Sequence, residues 1–291
     1  MALPINLLGF FVRTFVSAVA VLVGLVLAAV AVPAMWVDRN IVQEDGFVAF
    51  TAPLGKDPAF QERLASASVG SLGADRIPEA LSGLITPILE SAAQSLTSMP
   101  GYPDAWTETL RKSHRLNFAG PAAVPAGADG VTALTLDLAP LVGLVAKQVA
   151  DATTLPLEAP EQLLITIGQP EHRQVLDRVA AFAPMGYAVA AGALIAFVLA
   201  FVAARRRWAV LAGIGLGTLV LAGAWTLAAD AAGRAVAATA SGNEVAEIFK
   251  NEFVAAASSG FGQWVLAAAI TGGVLLAAGL VLRVAGGRRR A

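Results

Sequence analysis

AFAPMGYAVAAGALIAFVLAFVAARRRWAVLAGIGLGTLVLAGAWTLAA, residues 181–229, decides the fold. Residues 181–204 and 208–229 hold no charged side chain, and Arg205, Arg206 and Arg207 stand between them. An apolar run of about 20 residues, coiled as a helix, crosses about 30 Å of hydrocarbon. Hydrocarbon offers no water to an open backbone, so such a run closes its own N–H and C=O groups as a helix. Three arginines are too few to form anything but a turn. The stretch therefore reads as two membrane helices joined by a tight basic corner.

Two further runs of the same kind lie outward of it, at residues 14–35 and 263–284. Arg13 and Arg283 stand at their ends, where a long side chain can snorkel to the interface. The whole chain is 57% hydrophobic and 14% charged over 291 residues, with a mean hydropathy of +0.69. Ordinary soluble domains carry about 25% charged residues. A single core cannot hide that much apolar surface. The net charge of −1 speaks against a basic nucleic-acid binder. With no cysteine, disulfides, thiolate metal sites and thiol catalysis are excluded.

The run at 14–35 also has the look of a signal peptide, with Val32-Pro33-Ala34 as a cleavage site. Its length exceeds the usual apolar region of about 7–15 residues, so we read it as an uncleaved anchor. Orientation follows from the arginines. Arg13, Arg205, Arg206, Arg207, Arg283, Arg288, Arg289 and Arg290 fall on the flanks of one side, with no acid among them. Residues 36–180 hold 17 acids and 10 bases, and residues 230–262 hold four acids and two bases. The positive-inside rule then puts both termini and the Arg205–Arg207 turn in the cytoplasm.

The expected order is a cytoplasmic N-terminus at 1–13, a first transmembrane helix at 14–35 and an extracytoplasmic domain at 36–180. A second span at 181–204, the Arg turn at 205–207 and a third span at 208–229 follow. The chain ends with an outer segment at 230–262, a fourth span at 263–284 and a basic tail at 285–291. Trp36 and Trp264 are expected as anchors at the outer interface and Trp208 at the inner one. Trp225 reads equally as a belt residue or as packing. Small residues recur every four positions at Ala20, Gly24 and Ala28, at Ala188, Gly192 and Ala196, at Gly213 and Gly217, and at Gly273 and Ala277. Such spacing brings helix backbones together, either within one chain, the reading we prefer, or between copies in a homo-oligomer.

The outer domain reads as mostly helical with a small two-stranded β element. Asp57-Pro58 is a cap and first turn, followed by Phe60, Leu64 and Ala67 on one face. Ile77, Leu81, Leu84, Ile85, Ile88 and Leu89 form a helical stripe, which Pro87 can kink. A third helix starts near Pro103, with Trp106, Leu110 and His114 on one side, and Pro140 opens a fourth. Gly120 to Gly130 is a loop. Thr132 to Leu138 and Leu163 to Ile167 read as strands that pair across the helix between them. The helix entered at Glu171 is expected to run on into the second span. Asn243 caps a helix whose Val245, Ile248, Phe249 and Phe253 make an apolar face, suited to docking on the outer domain or to lying on the bilayer.

Chemistry is sparse. His114 and His172 are the two histidines, and neither has a second ligand at metal spacing. There is no P-loop or GxSxG motif, and Gly213, Gly215 and Gly217 lie inside a span without the strand that a nucleotide fold needs. Glu44 with Asp45 and Glu158 with Glu161 are carboxylate pairs of the kind glycan hydrolases use; among so many acids they read as solvated surface. No span carries a buried ionisable group of the kind pumps keep. No catalytic, cofactor or metal residue is expected.

Ala52-Pro53-Leu54-Gly55-Lys56-Asp57-Pro58, Trp106 followed by His114, VTALTLDLAPLV at 131–142 and the Arg205–Arg207 turn resemble an uncharacterised family of actinobacterial membrane proteins with four spans. The resemblance implies a helical extracytoplasmic domain and carries over no activity. The expectation is a non-enzymatic protein of the cell membrane, partnered by the lipid bilayer, that presents its outer domain to an envelope protein, a lipid or a wall polymer. One alternative is an accessory subunit of a transport or secretion complex, a layout that four-span ABC permeases share; the three-residue turn leaves no room for their coupling helix. The other is a lipid-handling protein with an acyl-chain cavity.

Overall fold

The computed structural model describes residues 5–61, 63, 91, 95–118, 135–153, 161–166, 170–241 and 244–288. The expected helix at Ile77–Leu89, the Gly120–Gly130 loop, Glu158, Asn243, Arg289 and Arg290 lie outside these residues. The chain divides into two compact units: Met1–Asp38 with Phe182–Gly233 and Ser258–Ala291, and Arg39–Ala181 with Arg234–Ala257. Among the described residues, four helices are long and apolar enough to cross a membrane.

The first unit is built from α1 (Ile5–Val37), α6 (Met185–Ala203), most of α7 (Arg207–Ala237) and most of α8 (Glu244–Arg288). The direction of each helix follows from what it touches. Ser17 Oγ donates to Ala200 O at 2.8 Å, Gly24 meets the Phe197 ring and Gly186 meets Ala34, so α1 and α6 run antiparallel. Gly217 meets Leu25 and Trp225 Nε1 donates to Ala29 O at 3.0 Å, so α1 and α7 run parallel. Gly215 lies against the backbone of Gly272 and Leu276, and a Cβ on Gly279 would come within 2.7 Å of Ala212 N and Trp208 O. The α7–α8 pair is therefore antiparallel and packs backbone on backbone, which only glycine permits at these positions. The unit is an up-down-up-down bundle.

Two expectations about helix limits change. The helix entered at residue 171 does not run on: α5 (Pro170–Phe182) stops, Ala183 and Pro184 make a turn, and α6 starts afresh. Pro184 has no N–H for the ladder and pushes the residue before it out of helical geometry. Conversely, the amphipathic helix and the fourth span form one uninterrupted helix of 45 residues, α8. No proline interrupts it.

In the second unit, α2 (Glu44–Thr51) leads through a 3-10 turn (Ala52–Lys56) to Asp57. The Asp57 carboxylate accepts the N–H groups of Ala59 and Phe60 at 2.9 and 3.2 Å, the expected cap. Beyond it come α3 (Tyr102–Phe118), β1 (Thr135–Asp137), α4 (Ala139–Thr153) and β2 (Leu164–Thr166). The strands pair antiparallel, with Thr135 opposite Thr166, Leu136 opposite Ile165 and Asp137 opposite Leu164. A two-stranded sheet is marginal alone; here β1 is buried against α3. The core joins Phe60, Trp106, Leu110, Leu136 and Leu141 to Val245 and Phe249 of α8. The apolar face of the amphipathic stretch is thus spent inside this unit.

Candidate functional site

Arginines and tryptophans mark the ends of the helix bundle. The guanidinium of Arg207 lies over Phe201 at 5.4 Å, and that of Arg283 over Trp208 at 5.0 Å. Both contacts are within cation–π reach. Ser17, one turn after Arg13, bonds Ala200, one turn before Arg205. Arg13, the Arg205–Arg207 turn and Arg283 therefore share one end of the bundle, and Arg288 ends α8 beyond it. At the other end Trp36 is buried edge-on to Phe261, with ring centroids 5.6 Å apart. Trp264 is half-buried one turn further along α8, and Trp225 is buried and bonded within the bundle.

The carboxylate pair Glu44–Asp45 is divided between two partners on α3. Glu44 takes both bonds of Arg115 at 3.0 Å, and Asp45 faces Arg111 at 3.6 Å. The bond to Arg115 holds the Glu44 carboxyl below its ordinary range despite some desolvation. These groups strap α2 to α3. His172 lies in the first turn of α5 and Glu161 just before β2. Among the described residues no three His, Asp or Glu side chains converge where a metal ion would sit.

His114 is a packing residue. It is 5% exposed, stacks on Phe118 at 4.3 Å and tilts against Phe47 at 5.1 Å. Its Nε2 lies 3.0 Å from Ile41 O. A carbonyl only accepts, so Nε2 carries the proton. Burial pushes the imidazole pKa down, against the opposing pull of the Ile41 carbonyl and Glu44. Beside it a short polar network closes on itself. Asn117 Nδ2 donates to Ser113 O and Thr135 O, both at 2.7 Å, and its Oδ1 accepts Thr135 N–H at 2.9 Å. Ser113 Oγ donates to Thr109 O at 2.6 Å and accepts Asp137 N–H at 2.9 Å.

Ser113, His114, Asn117 and Thr135 form the back wall of a cavity of about 470 Å³ whose lining belongs wholly to the second unit. Leu110, Leu136 and Phe249 make its buried floor, and Val175, Val236 and Ala240 its exposed rim. The size suits a drug-sized or single-chain ligand, and a mostly apolar wall with few polar groups is the usual make-up of such sites. Lys250 stands at the rim with its side chain 13% exposed. Its ammonium donates to Thr239 O at 2.7 Å, to Ala237 O at 3.4 Å and to Glu247 Oε2 at 2.9 Å, a cation set against the C-terminal carbonyls of α7.

Neither the cavity nor Lys250 stands out in the sequence. Phe249 and Phe253 were legible as an apolar face, but a hollow and a core use the same residue types. No family model, curated protein or solved structure matches the chain.

Proposed function

We propose that this chain is a non-enzymatic integral protein of the cell membrane whose second unit lies outside the cytoplasm and accommodates an acyl chain. The gathering of Arg13, Arg205–Arg207 and Arg283 at one end of the bundle supports cytoplasmic termini. The observation that carries the binding reading is the 470 Å³ apolar cavity whose inner polar residues Ser113, His114 and Asn117 are bonded to the protein itself. With those bonds made, the back wall draws its gain from apolar contact, and each buried methylene contributes about 0.8 kcal/mol.

The test uses the full chain in lipid nanodiscs and a hexadecanol probe with a diazirine at its tail end. Irradiation should label peptides containing Phe249 or Leu136, and Ala240→Trp, at the rim, should suppress the labelling. Labelling of the wild type no stronger than that of Ala240→Trp, or confined to α1 and α6, would overturn the acyl-chain reading.

A further inference from the structure

Resting on that reading, we infer that the ligand is a single-chain amphiphile with an anionic head group, carboxylate or phosphate monoester, and that Lys250 receives it. The chain must point inward. Leu110 and Leu136 on the floor are 0% and 1% exposed, and Ser113, His114 and Asn117 around them are held by backbone groups. The head group then sits at the rim, where Val236 and Ala240 meet solvent.

Lys250 is the one charged residue of this lining among the described residues. Its short bonds go to Thr239 O and to the carboxylate of Glu247; the third, to Ala237 O, is long at 3.4 Å. The Glu247 side chain is 45% exposed, so it can swing into water without leaving a buried charge behind. An incoming oxyanion offers the ammonium the same charge-assisted bond that Glu247 gives, and the bond to Thr239 stays in place. Glu247 is thus an internal stand-in for the head group. A cationic head would face a like charge, and an alcohol would have nothing with which to displace a carboxylate.

The experiment compares four diazirine-tailed C16 probes on the full chain in nanodiscs of uncharged lipid: the carboxylate, the alkyl phosphate, the alcohol and the trimethylammonium. Anionic probes should label the cavity about tenfold more strongly than the alcohol, as one charge-assisted hydrogen bond predicts. Preference for the carboxylate identifies a fatty acid and preference for the phosphate a lysophospholipid; either supports the proposal. Lys250→Met should abolish the anion preference while the alcohol still labels, which shows that the variant is folded. Glu247→Gln should strengthen anionic labelling, because the competitor is neutralised. Equal labelling by all four probes would overturn the head-group assignment and leave the cavity reading standing. No cavity labelling by any probe would overturn both.

Discussion

The guanidinium of Arg283 lies 5.0 Å over the ring of Trp208, tying the last turns of α8 to the first turn of α7. A charged group from the fourth apolar run and an aromatic group from the third thus meet beside the Arg205–Arg207 corner. One residue type marks the side of the bundle, and the other supplies the amphipathic ring that interfaces favour. The ring face attracts the Arg283 guanidinium electrostatically.

Sidedness is testable because the chain has no cysteine. A Cys replacing Ser98, which is exposed in the second unit, should react with a membrane-impermeant maleimide on intact cells. A Cys replacing Ala204, beside the arginine corner, should react only after permeabilisation. The opposite pattern would invert the protein and remove the proposed outer cavity.

Bundle glycines should divide into two groups. Gly215 lies against the backbone of Gly272 and Leu276, whereas a Cβ on Gly213 would meet nothing within 4 Å. Gly215→Val should destabilise the bundle by about 1–3 kcal/mol, the usual cost of overpacking, and Gly213→Val by far less. Unfolding in mixed micelles, followed by tryptophan fluorescence, measures the difference. A smaller particle on light scattering for Gly213→Val alone would instead reveal a homo-oligomer using that open face.

Asn117→Ala should be costly. It removes the Asn117 acceptor of Thr135 N–H and the Asn117 donor to Thr135 O, and both residues are buried. Buried unsatisfied groups cost about 1–3 kcal/mol each. A loss of at least about 2 kcal/mol in the second unit, read by pulse proteolysis, is expected; a loss below about 0.5 kcal/mol would mean the β1 anchor is misassigned.

Mild acid should loosen the second unit through His114. Its pKa is lowered from 6.5 by burial, so the unfolded chain takes up a proton before the folded one does. The stability it contributes is complete above pH 6.5 and drains away as pH falls toward the lower folded value. Melting at pH 5.5 should therefore fall below melting at pH 7.5, and His114→Phe, which keeps the ring stack, should shrink that difference. Glu44 titrates in a lower window because Arg115 holds its carboxyl below 4.5, so the two effects separate. An unchanged difference in His114→Phe would remove the imidazole from this role.

The bundle was legible because hydrocarbon imposes one rule on every residue of a span, and residues 185–203 and 208–229 hold no charged side chain and no proline. The strands at 135–137 and 164–166 and the cap at Asp57 were legible for local reasons, alternation and a carboxylate before proline. What escaped was decided by distant partners. Trp36 reads as a belt residue, and its edge-on contact with the ring of Phe261 is not visible in the spacing. Pro184 gave no sequence warning strong enough against the pull of continuous apolar residues. The bond of Lys250 to Thr239 O depends on how the chain turns between α7 and α8, whereas Glu247 lies one turn back on the same helix. The stretch Ala52–Pro58, singled out for its composition, lies with Gly55 against the Trp106 indole, which spacing alone could not reveal.

One carboxylate oxygen links events far apart in the chain. Asp137 Oδ1 accepts the N–H groups of Ala139 and Leu163 at 2.9 and 3.1 Å. The same atom thus starts α4 and fastens the entry to β2. Neither can mature alone without leaving that oxygen half used, so the helix and the strand it returns to should appear together in the folding transition state rather than one after the other.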